Sequence, residues 1–360
     1  RAMVLKPTLG VAYNNLASCM LDQGFQEDVI KNYMRSIYTQ PRYAEGYNNL
    51  GSALDDSGEY SEAISFYKKA ILLEPEYDLA HQNLGVLFLV LRRYSEAAEC
   101  FKLCDTQESK SFLLRCLYHL DEERLFYEHL DALILEGQCN AIVGSLVSRA
   151  DIKFGTSKPN LFCHDPMSYV LETDLTQSYD FENIISKPVK QILSEDIIAK
   201  RQQDLLSNGI QTAGNLFASE SSLTQDIQNI LHAEIKKYRD MFKDSKEGFI
   251  TNWPTEYSLH GWLISMKSGG ELRPHMHEKG WLSGSIYINV PPKATLDSGN
   301  LVVCIDDKLV NTEDEKPNKK SIDVSTGTLC FFPASLLHYT IPFTSEQERV
   351  VLAFDVIPKS

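Results

Sequence analysis

The chain has 360 residues, which is enough for two domains that each bury a core of their own. Its net charge of −14 argues against nucleic acid as the main partner, because a phosphate backbone requires a positive protein surface. No apolar run reaches the roughly eighteen residues that a spanning helix requires, so we expect no membrane partner.

The cysteines are informative about the cellular compartment of the protein rather than about a functional site. The chain has eight, and they form neither a C-x-x-C pair nor a regular framework. Such thiols are typical of a reducing compartment, which favours a cytoplasmic location. Cys100 and Cys104 lie one helical turn apart, but no further cysteine or histidine falls at finger-like spacing, so we interpret both as core thiols.

The first 108 residues repeat with a period of 34, as residues 7–40, 41–74 and 75–108. The units share small, aromatic and proline positions, which are Ala17, Gly51 and Gly85; Tyr33, Tyr67 and Phe101; and Pro41 and Pro75. This pattern resembles tetratricopeptide repeats, in which helix pairs stack into an α-solenoid. Ala2 is in register with the second helix of a unit, so we expect a truncated first repeat.

One asparagine recurs in each unit, as Asn15, Asn49 and Asn83. In some arrays of the tetratricopeptide family, an asparagine at this position lines the concave surface and holds an extended peptide. The resemblance therefore implies a peptide or protein partner, and an amide offers the donor and the acceptor that a peptide unit needs. The alternative is that these asparagines only cap or space the helices. We favour peptide binding because all three units keep the residue.

The chain changes character after the repeats. Residues 109–150 keep helical apolar spacing but lose the repeat positions, so we predict a helical cap that closes the array. Residues 151–250 are predicted to connect the domains and to form a helical lead-in, with helical spacing at Ile197–Leu206 and again at Ile227–Tyr238.

Residues 251–360 contain short apolar or alternating runs separated by turn residues. Five strands are predicted, at residues 262–266, 284–290, 301–305, 327–332 and 350–356. This many short strands in about a hundred residues favours an antiparallel sandwich or a jelly roll.

Three histidines of this region form the strongest functional signal. His275 and His277 are spaced i, i+2 on an extended segment, so both side chains face one side and can reach one ion. His338, on a later strand, would complete a facial set that leaves positions open for substrate and oxygen, as in non-haem iron enzymes. Arg349 suits a cosubstrate that bears a carboxylate, since its guanidinium binds carboxylate oxygens in pairs.

The residues around these histidines resemble a known family. The two stretches are Gly269-Gly270-x-x-x-Pro274-His275-Met276-His277-x-x-x-Trp281-Leu282-Ser283-Gly284-x-x-Tyr287 and Gly327-x-Leu329-x-Phe331-Phe332-Pro333-x-x-x-x-His338-x-x-x-Pro342, closed by Arg349 and Phe354-Asp355. They are similar to the 2-oxoglutarate/Fe(II) oxygenases that often follow tetratricopeptide repeats. Tyr287-Ile288-Asn289 also resembles the Tyr-Leu-Asn strand of prolyl hydroxylases.

The resemblance covers approximately residues 160–358 and implies a double-stranded β-helix (jelly-roll) domain with flanking helices. The predicted fold class is therefore α + β multidomain, with the α-solenoid first. The resemblance further implies a hydroxylase that uses Fe(II), 2-oxoglutarate and O2. It places His275 and His338 on iron and Arg349 and Tyr287 on the distal carboxylate of 2-oxoglutarate. We expect Trp262 and Trp281 to be walls of a dry pocket.

One position departs from the prolyl-hydroxylase pattern, because His277 stands where that pattern has a carboxylate. Either His277 ligates, or Glu278 supplies the third ligand, or only two protein ligands bind. We favour His277, which has the correct alternation. Three neutral imidazoles would leave the iron more positive than two imidazoles and a carboxylate.

Two other functions stay open. A cupin-like enzyme would bind metal without 2-oxoglutarate, and the glycine and histidine spacing loosely fits it, but no glutamate stands at its further ligand position and Arg349 and Tyr287 would have no role. A non-catalytic repeat scaffold with a degenerate oxygenase domain is the second alternative, and the missing carboxylate supports it.

Overall fold

The computed structural model describes residues 9–21, 26–195, 198, 200–201, 205–218, 222–306 and 318–359. The truncated repeat expected around Ala2 lies outside the described residues, as does part of the helix expected at Ile197–Leu206. The chain forms two compact units, Arg1–Glu136 and Gly137–Ser360. This division assigns residues 137–150 to the second unit, whereas the sequence pattern grouped them with the repeat array.

The first unit is helical wherever it is described. Its helices are α1 (Leu9–Leu21), α2 (Gln26–Thr39), α3 (Ala44–Asp56), α4 (Tyr60–Leu73), α5 (Asp78–Val90), α6 (Tyr94–Phe101), α7 (Gln107–His119) and α8 (Glu123–Leu135). The first six form the three helix pairs that the 34-residue period predicted. α7 and α8 follow as a further pair without the repeat positions.

Two glycines allow the paired helices to approach closely. A Cβ atom on Gly51 would lie 2.8 Å from the Tyr67 ring, and one on Gly85 would lie 2.7 Å from the Phe101 ring. Both distances are shorter than side chains tolerate. The shared small and aromatic positions of the repeats are thus a matched contact within each pair.

The second unit begins with helices and short extended segments. They are α9 (Ala141–Phe154), a 3-10 helix (Pro166–Tyr169), β1 (Leu171–Asp174), a second 3-10 helix (Leu175–Gln177), a π-helical turn (Glu182–Ser186), α10 (Lys187–Ser194), β2 (Lys200–Arg201), β3 (Leu206–Thr212), α11 (Ser222–Met241) and α12 (Gly248–Thr251). α11 confirms the second helix predicted in the lead-in.

The first predicted helix of the lead-in is wrong where the structure describes it. β2 and β3 pair antiparallel, with Lys200 opposite Thr212 and Arg201 opposite Gln211. Apolar residues over so short a stretch fit a helix and a strand equally well, and pairing with β4 decides in favour of the strand.

The remaining chain is a β-rich region. Its strands are β4 (Tyr257–Leu272), β5 (Leu282–Asn289), β6 (Leu301–Cys304), β7 (Lys319–Ile322), β8 (Thr328–Pro333), β9 (Leu337–Thr340) and β10 (Arg349–Pro358). They form a seven-stranded sheet, in the order β1-β8-β5-β10-β4-β3-β2, and a three-stranded sheet, in the order β7-β6-β9, both with antiparallel pairs. All five predicted strands are present. The jelly-roll topology stays a prediction.

The large sheet is covered on both faces. Leu352 and Phe354 of β10 pack in one cluster with residues of α11, such as Ile235 and Tyr238. Val351 belongs to a second cluster that includes residues of the three-stranded sheet. Burial on both faces explains why β10 is a nearly continuous apolar run. It also means that a polar side chain between the two sheets lies in a dry environment. Among the described residues, none of the helices combines the length and the apolar character that membrane crossing requires.

Candidate metal centre

His275, His277 and His338 meet at one point of the second unit. Their ligand atoms all lie within 4.8 Å of one another. His338 belongs to β9, and His275 follows the end of β4. Two backbone hydrogen bonds join them, from the His275 N–H to the His338 carbonyl (3.1 Å) and from the His338 N–H to the His275 carbonyl (2.8 Å). The backbone thus fixes two of the three imidazoles relative to each other.

The side-chain hydrogen bonds orient two imidazoles for metal binding. The Nδ1 of His275 lies 2.8 Å from the Arg273 carbonyl oxygen, and the Nδ1 of His277 lies 2.7 Å from Oδ1 of Asp355. Since both acceptors need an N–H, both Nδ1 atoms donate, and each Nε2 keeps its lone pair. The two Nε2 atoms are 3.3 Å apart. A metal with bonds of about 2.1 Å holds neighbouring ligand nitrogens roughly 3 Å apart, which fits this spacing.

Burial favours the neutral imidazoles that bind metal. It lowers the pKa of His275 to about 4, and the neighbouring His277 adds to this shift. Burial also lowers the pKa of His338 well below its ordinary value, and His338 is only 6% exposed. Near neutral pH these two imidazoles are therefore available as ligands, because a proton does not compete for the lone pair.

Asp355 is a site residue for which the sequence pattern predicted no role beyond its place in the motif. It lies in β10 directly opposite Ser283 of β5, and the Ser283 hydroxyl donates to Oδ1 of Asp355 at 2.7 Å. Asp355 is 5% exposed, so the cluster includes a buried carboxylate. The ligand position two residues after His275 holds no carboxylate. A carboxylate is instead present one hydrogen bond further from the point where the three histidines meet, because Asp355 is hydrogen-bonded to His277. A charged residue within the apolar run of β10 was the signal that could have identified it.

Glu278, the alternative third ligand, lies outside the cluster of potential ligands found among the described residues. The geometry therefore brings together the three histidines that the motif named. The assignment of His277 as a ligand remains a proposal.

Arg349 and Tyr287 line a narrow cavity next to the histidines. The cavity is small, with a volume of about 30 Å³, and His277, His338 and Ser285 also line it. Arg349 is the first residue of β10 and is 1% exposed. Its Cζ lies 5.1 Å from the centroid of the Tyr287 ring. The two residues that the resemblance assigned to one carboxylate are thus neighbours.

The guanidinium of Arg349 has no hydrogen-bond partner of normal geometry in the described part of the chain, at any of its three nitrogens. Burial lowers its pKa, and the nearby Tyr287 opposes this shift. Burial also raises the pKa of Tyr287, so the phenol keeps its proton. A buried cation is costly unless an anion pairs with it. A carboxylate beside the guanidinium would supply that anion, so the charge and the donors of these residues fit the distal carboxylate of 2-oxoglutarate.

A second, wider cavity also borders the histidines. It has a volume of about 440 Å³ and shares His277 and His338 with the narrow cavity. Trp262 lines it, as predicted. Trp281 does not, because its ring packs in the helix-facing core, where its Nε1 donates to the Phe249 carbonyl at 2.8 Å. The expectation for Trp281 is therefore corrected.

In the repeat array, two of the predicted peptide-binding asparagines also form hydrogen bonds within the array. Each donates to the asparagine that precedes the equivalent position of the unit before it. Asn49 Nδ2 donates to Asn14 Oδ1 at 3.0 Å, and Asn83 Nδ2 donates to Asn48 Oδ1 at 3.0 Å. Asn48 Nδ2 in turn donates to Asn49 Oδ1 at 3.2 Å. Asn15 is exposed. Each amide keeps a second N–H and a second lone pair, so peptide binding by Asn15, Asn49 and Asn83 stays a prediction.

The fold and the site define a repeat protein with a metal-binding β-rich domain. Residues 260–355 match the family described as "Putative 2OG-Fe(II) oxygenase", and residues 44–77 match the tetratricopeptide repeat. The first match contains the three histidines, Tyr287, Arg349 and Asp355. The chain thus matches the tetratricopeptide repeat within its helical segment and this oxygenase family within its β-rich region.

Solved structures show partial likeness to each segment. The structure of MamA is 31% identical over 28% of this chain, with a TM-score of 0.27, and the chain spans 59% of its length. A prolyl-4-hydroxylase from Pseudomonas putida is 12% identical, with 54% of this chain and 96% of that chain covered and a TM-score of 0.40. PilF of Pseudomonas aeruginosa is 24% identical, with 43% and 72% covered and a TM-score of 0.38. A search of curated proteins returned no match.

Proposed function

We propose that the chain is an Fe(II)- and 2-oxoglutarate-dependent dioxygenase, acting as a hydroxylase, whose repeat array binds a peptide or protein. The observation that carries the proposal is the buried Arg349 guanidinium. Within the described residues its nitrogens form no hydrogen bond of normal geometry, although the Tyr287 ring lies beside it, and it lines the same cavity as His277 and His338. A three-histidine site alone would suit many metal enzymes. An unpaired cation beside it indicates a carboxylate-bearing cosubstrate.

The roles of the residues follow from their positions. His275, His277 and His338 would hold the ion, and Arg349 with Tyr287 would bind the distal carboxylate of the cosubstrate. When bound, Fe(II) with 2-oxoglutarate and O2 supplies the oxidising power to hydroxylate a C–H bond, with succinate and carbon dioxide as the other products.

Asp355 and Ser283 act on this site through His277. The carboxylate fixes the Nδ1–H tautomer of His277 and directs its Nε2 to the metal, and Ser283 holds the carboxylate in place. A negative charge on the hydrogen-bond partner also makes the imidazole a stronger donor to the metal. This partly replaces the carboxylate ligand that the chain lacks. The apolar residues around both cavities exclude bulk water from the reacting groups.

The test is oxygen-dependent succinate formation by the full chain with Fe(II) and 2-oxoglutarate. We expect activity in the wild type and its loss in His275→Ala and in Arg349→Ala. Lys267→Ala is the control, since Lys267 is exposed on β4 and lines neither cavity. Equal rates in all four proteins would contradict the proposal.

A companion measurement separates the two alternatives. Anaerobic calorimetry with Fe(II), with and without 2-oxoglutarate, should show that the cosubstrate binds and that Arg349→Ala weakens this binding. Metal binding without any effect of 2-oxoglutarate would favour a cupin-like enzyme. Binding of neither would favour a non-catalytic scaffold.

A further inference from the structure

The residues that line the wide cavity indicate which kind of substrate group it can bind. Trp262, Ile264, Leu272 and Ala353 contribute apolar wall, and the remaining lining residues in the described part of the chain include no lysine, arginine or carboxylate. Apart from the metal point, this wall offers a charged group no partner of opposite charge, so such a group would lose its hydration without compensation. The part of a substrate that approaches the histidines from this side is therefore uncharged and largely apolar.

Besides the histidines, Gln211 brings a polar amide to the wall of this cavity. It is 4% exposed, and its Oε1 has no hydrogen-bond donor among the described residues. Buried polar atoms are paired in nearly all folded proteins, so an unpaired acceptor at a cavity indicates a group that completes it on binding.

The strand register places the Gln211 side chain toward the metal centre. Gln211 of β3 lies directly opposite Ile264 of β4, and directly opposed residues share one face of a sheet. Ile264 lines both the wide and the narrow cavity. The next residue, Thr212, alternates to the other face, where its hydroxyl accepts from the Leu263 N–H at 3.0 Å. The Gln211 amide thus shares the cavity face with Trp262 and Ile264.

We infer that Gln211 determines the substrate specificity of the oxygenase site by accepting a hydrogen bond from an N–H group of an uncharged, largely apolar substrate, as a peptide amide offers. This inference rests on the proposed function and adds a substrate class to it. A substrate N–H group is favoured here because Gln211 Oε1 has no hydrogen-bond donor among the described residues. A substrate that lacks the group leaves Oε1 buried and unpaired, and this penalty is the source of discrimination.

The experiment compares three small probes on the full chain, loaded with Mn(II) and 2-oxoglutarate. Isovaleramide carries the N–H donor, N,N-dimethylisovaleramide lacks it, and isovalerate carries a charge. Mn(II) is paramagnetic and relaxes the protons of a probe bound near the histidines, so NMR titration gives an affinity for this cavity alone.

We expect isovaleramide to bind about tenfold more tightly than the dimethyl amide, and isovalerate, which has no N–H group, to bind equally well to the wild type and to Gln211→Leu. In Gln211→Leu the preference for the N–H donor should disappear, whereas Ser207→Ala, an exposed position on the same strand, should keep it. The ratio of the affinities for isovaleramide and the dimethyl amide is compared between the wild type and Gln211→Leu, which cancels the steric difference between the two probes. Unchanged 2-oxoglutarate affinity in Gln211→Leu shows that the variant is folded.

A ratio that Gln211→Leu leaves unchanged would overturn the inference, as would failure of isovaleramide to bind the wild type. Both outcomes leave the proposed function intact as long as 2-oxoglutarate binds. Loss of 2-oxoglutarate binding in the wild type would instead count against the proposed function.

Discussion

Replacing Arg349 with methionine tests whether the buried guanidinium awaits a carboxylate. Methionine is unbranched and of similar length, so it fills most of the volume without leaving a large cavity. The change removes a cation whose three nitrogens have no partner among the described residues. We therefore expect the variant to be more stable than the wild type when no ligand is present, and unable to bind 2-oxoglutarate tightly.

The magnitude follows from two opposing contributions. Leaving a buried donor unpaired costs at least about 1 kcal/mol, which gives about 3 kcal/mol for three nitrogens. Against this, the variant loses the contact between the guanidinium and the Tyr287 ring, at 5.1 Å, which contributes about 2 kcal/mol when desolvated. The free energy of unfolding should thus rise by about 1 kcal/mol or more.

Urea unfolding followed by tryptophan fluorescence measures this change for the second unit alone. The three tryptophans, Trp253, Trp262 and Trp281, all lie in that unit. With Mn(II) present, 2-oxoglutarate at a hundred times its Kd should stabilise the wild type by about 2.7 kcal/mol and the variant much less. If Arg349→Met is less stable than the wild type and gains the same stabilisation from 2-oxoglutarate, the reasoning about the unpaired cation is refuted.

Three further predictions concern other parts of the molecule. Asp355→Asn should weaken Mn(II) binding by about 10- to 100-fold in anaerobic calorimetry, because His277 loses the anion that orients it. An unchanged affinity would show that Asp355 does not support the metal centre. Burial lowers the pKa of His275 from 6.5 to about 4, so the unfolded chain binds more protons between these values. The contribution of His275 to the stability of the metal-free protein should therefore be complete above pH 6.5 and fall by at most about 3 kcal/mol towards pH 4. A urea series in which His275→Asn loses as much stability as the wild type would contradict this. Gly85→Ala should lower the free energy of unfolding of the first unit by about 1–3 kcal/mol, measured by urea unfolding followed by circular dichroism at 222 nm. If contact with the Phe101 ring is the cause, the double variant with Phe101→Leu should recover part of this loss.

The sequence predicted the elements that depend on local pattern. The 34-residue period located the helix pairs, and alternation with turn residues located five strands. The metal centre was predicted for a different reason, because His275, His277 and His338 stand inside longer motifs. Local pattern failed at Ile197–Leu206, where apolar spacing was too short to separate a helix from the edge strand.

What the sequence could not supply depends on register. Asp355 reaches His277 because β10 places it opposite Ser283 of β5, and a shift of one residue would turn it to the other face. The same holds for Gln211, whose position opposite Ile264 decides which cavity it lines. Trp281 was expected at the pocket, but whether an aromatic ring faces a cavity or a core is decided by packing between distant segments.

The hydrogen bonds between amides in the repeat array make its length adjustable. Asn49 bonds to Asn14, and Asn83 bonds to Asn48, so the same contact is used at successive junctions, 35 residues apart in each case. Removal of residues 41–74 would bring Asn83 to the place that Asn49 now occupies, opposite Asn14. This asparagine contact is therefore preserved when a whole repeat is deleted or duplicated. The span of the array can change over evolutionary time while the same hydrogen bond is kept at each such junction.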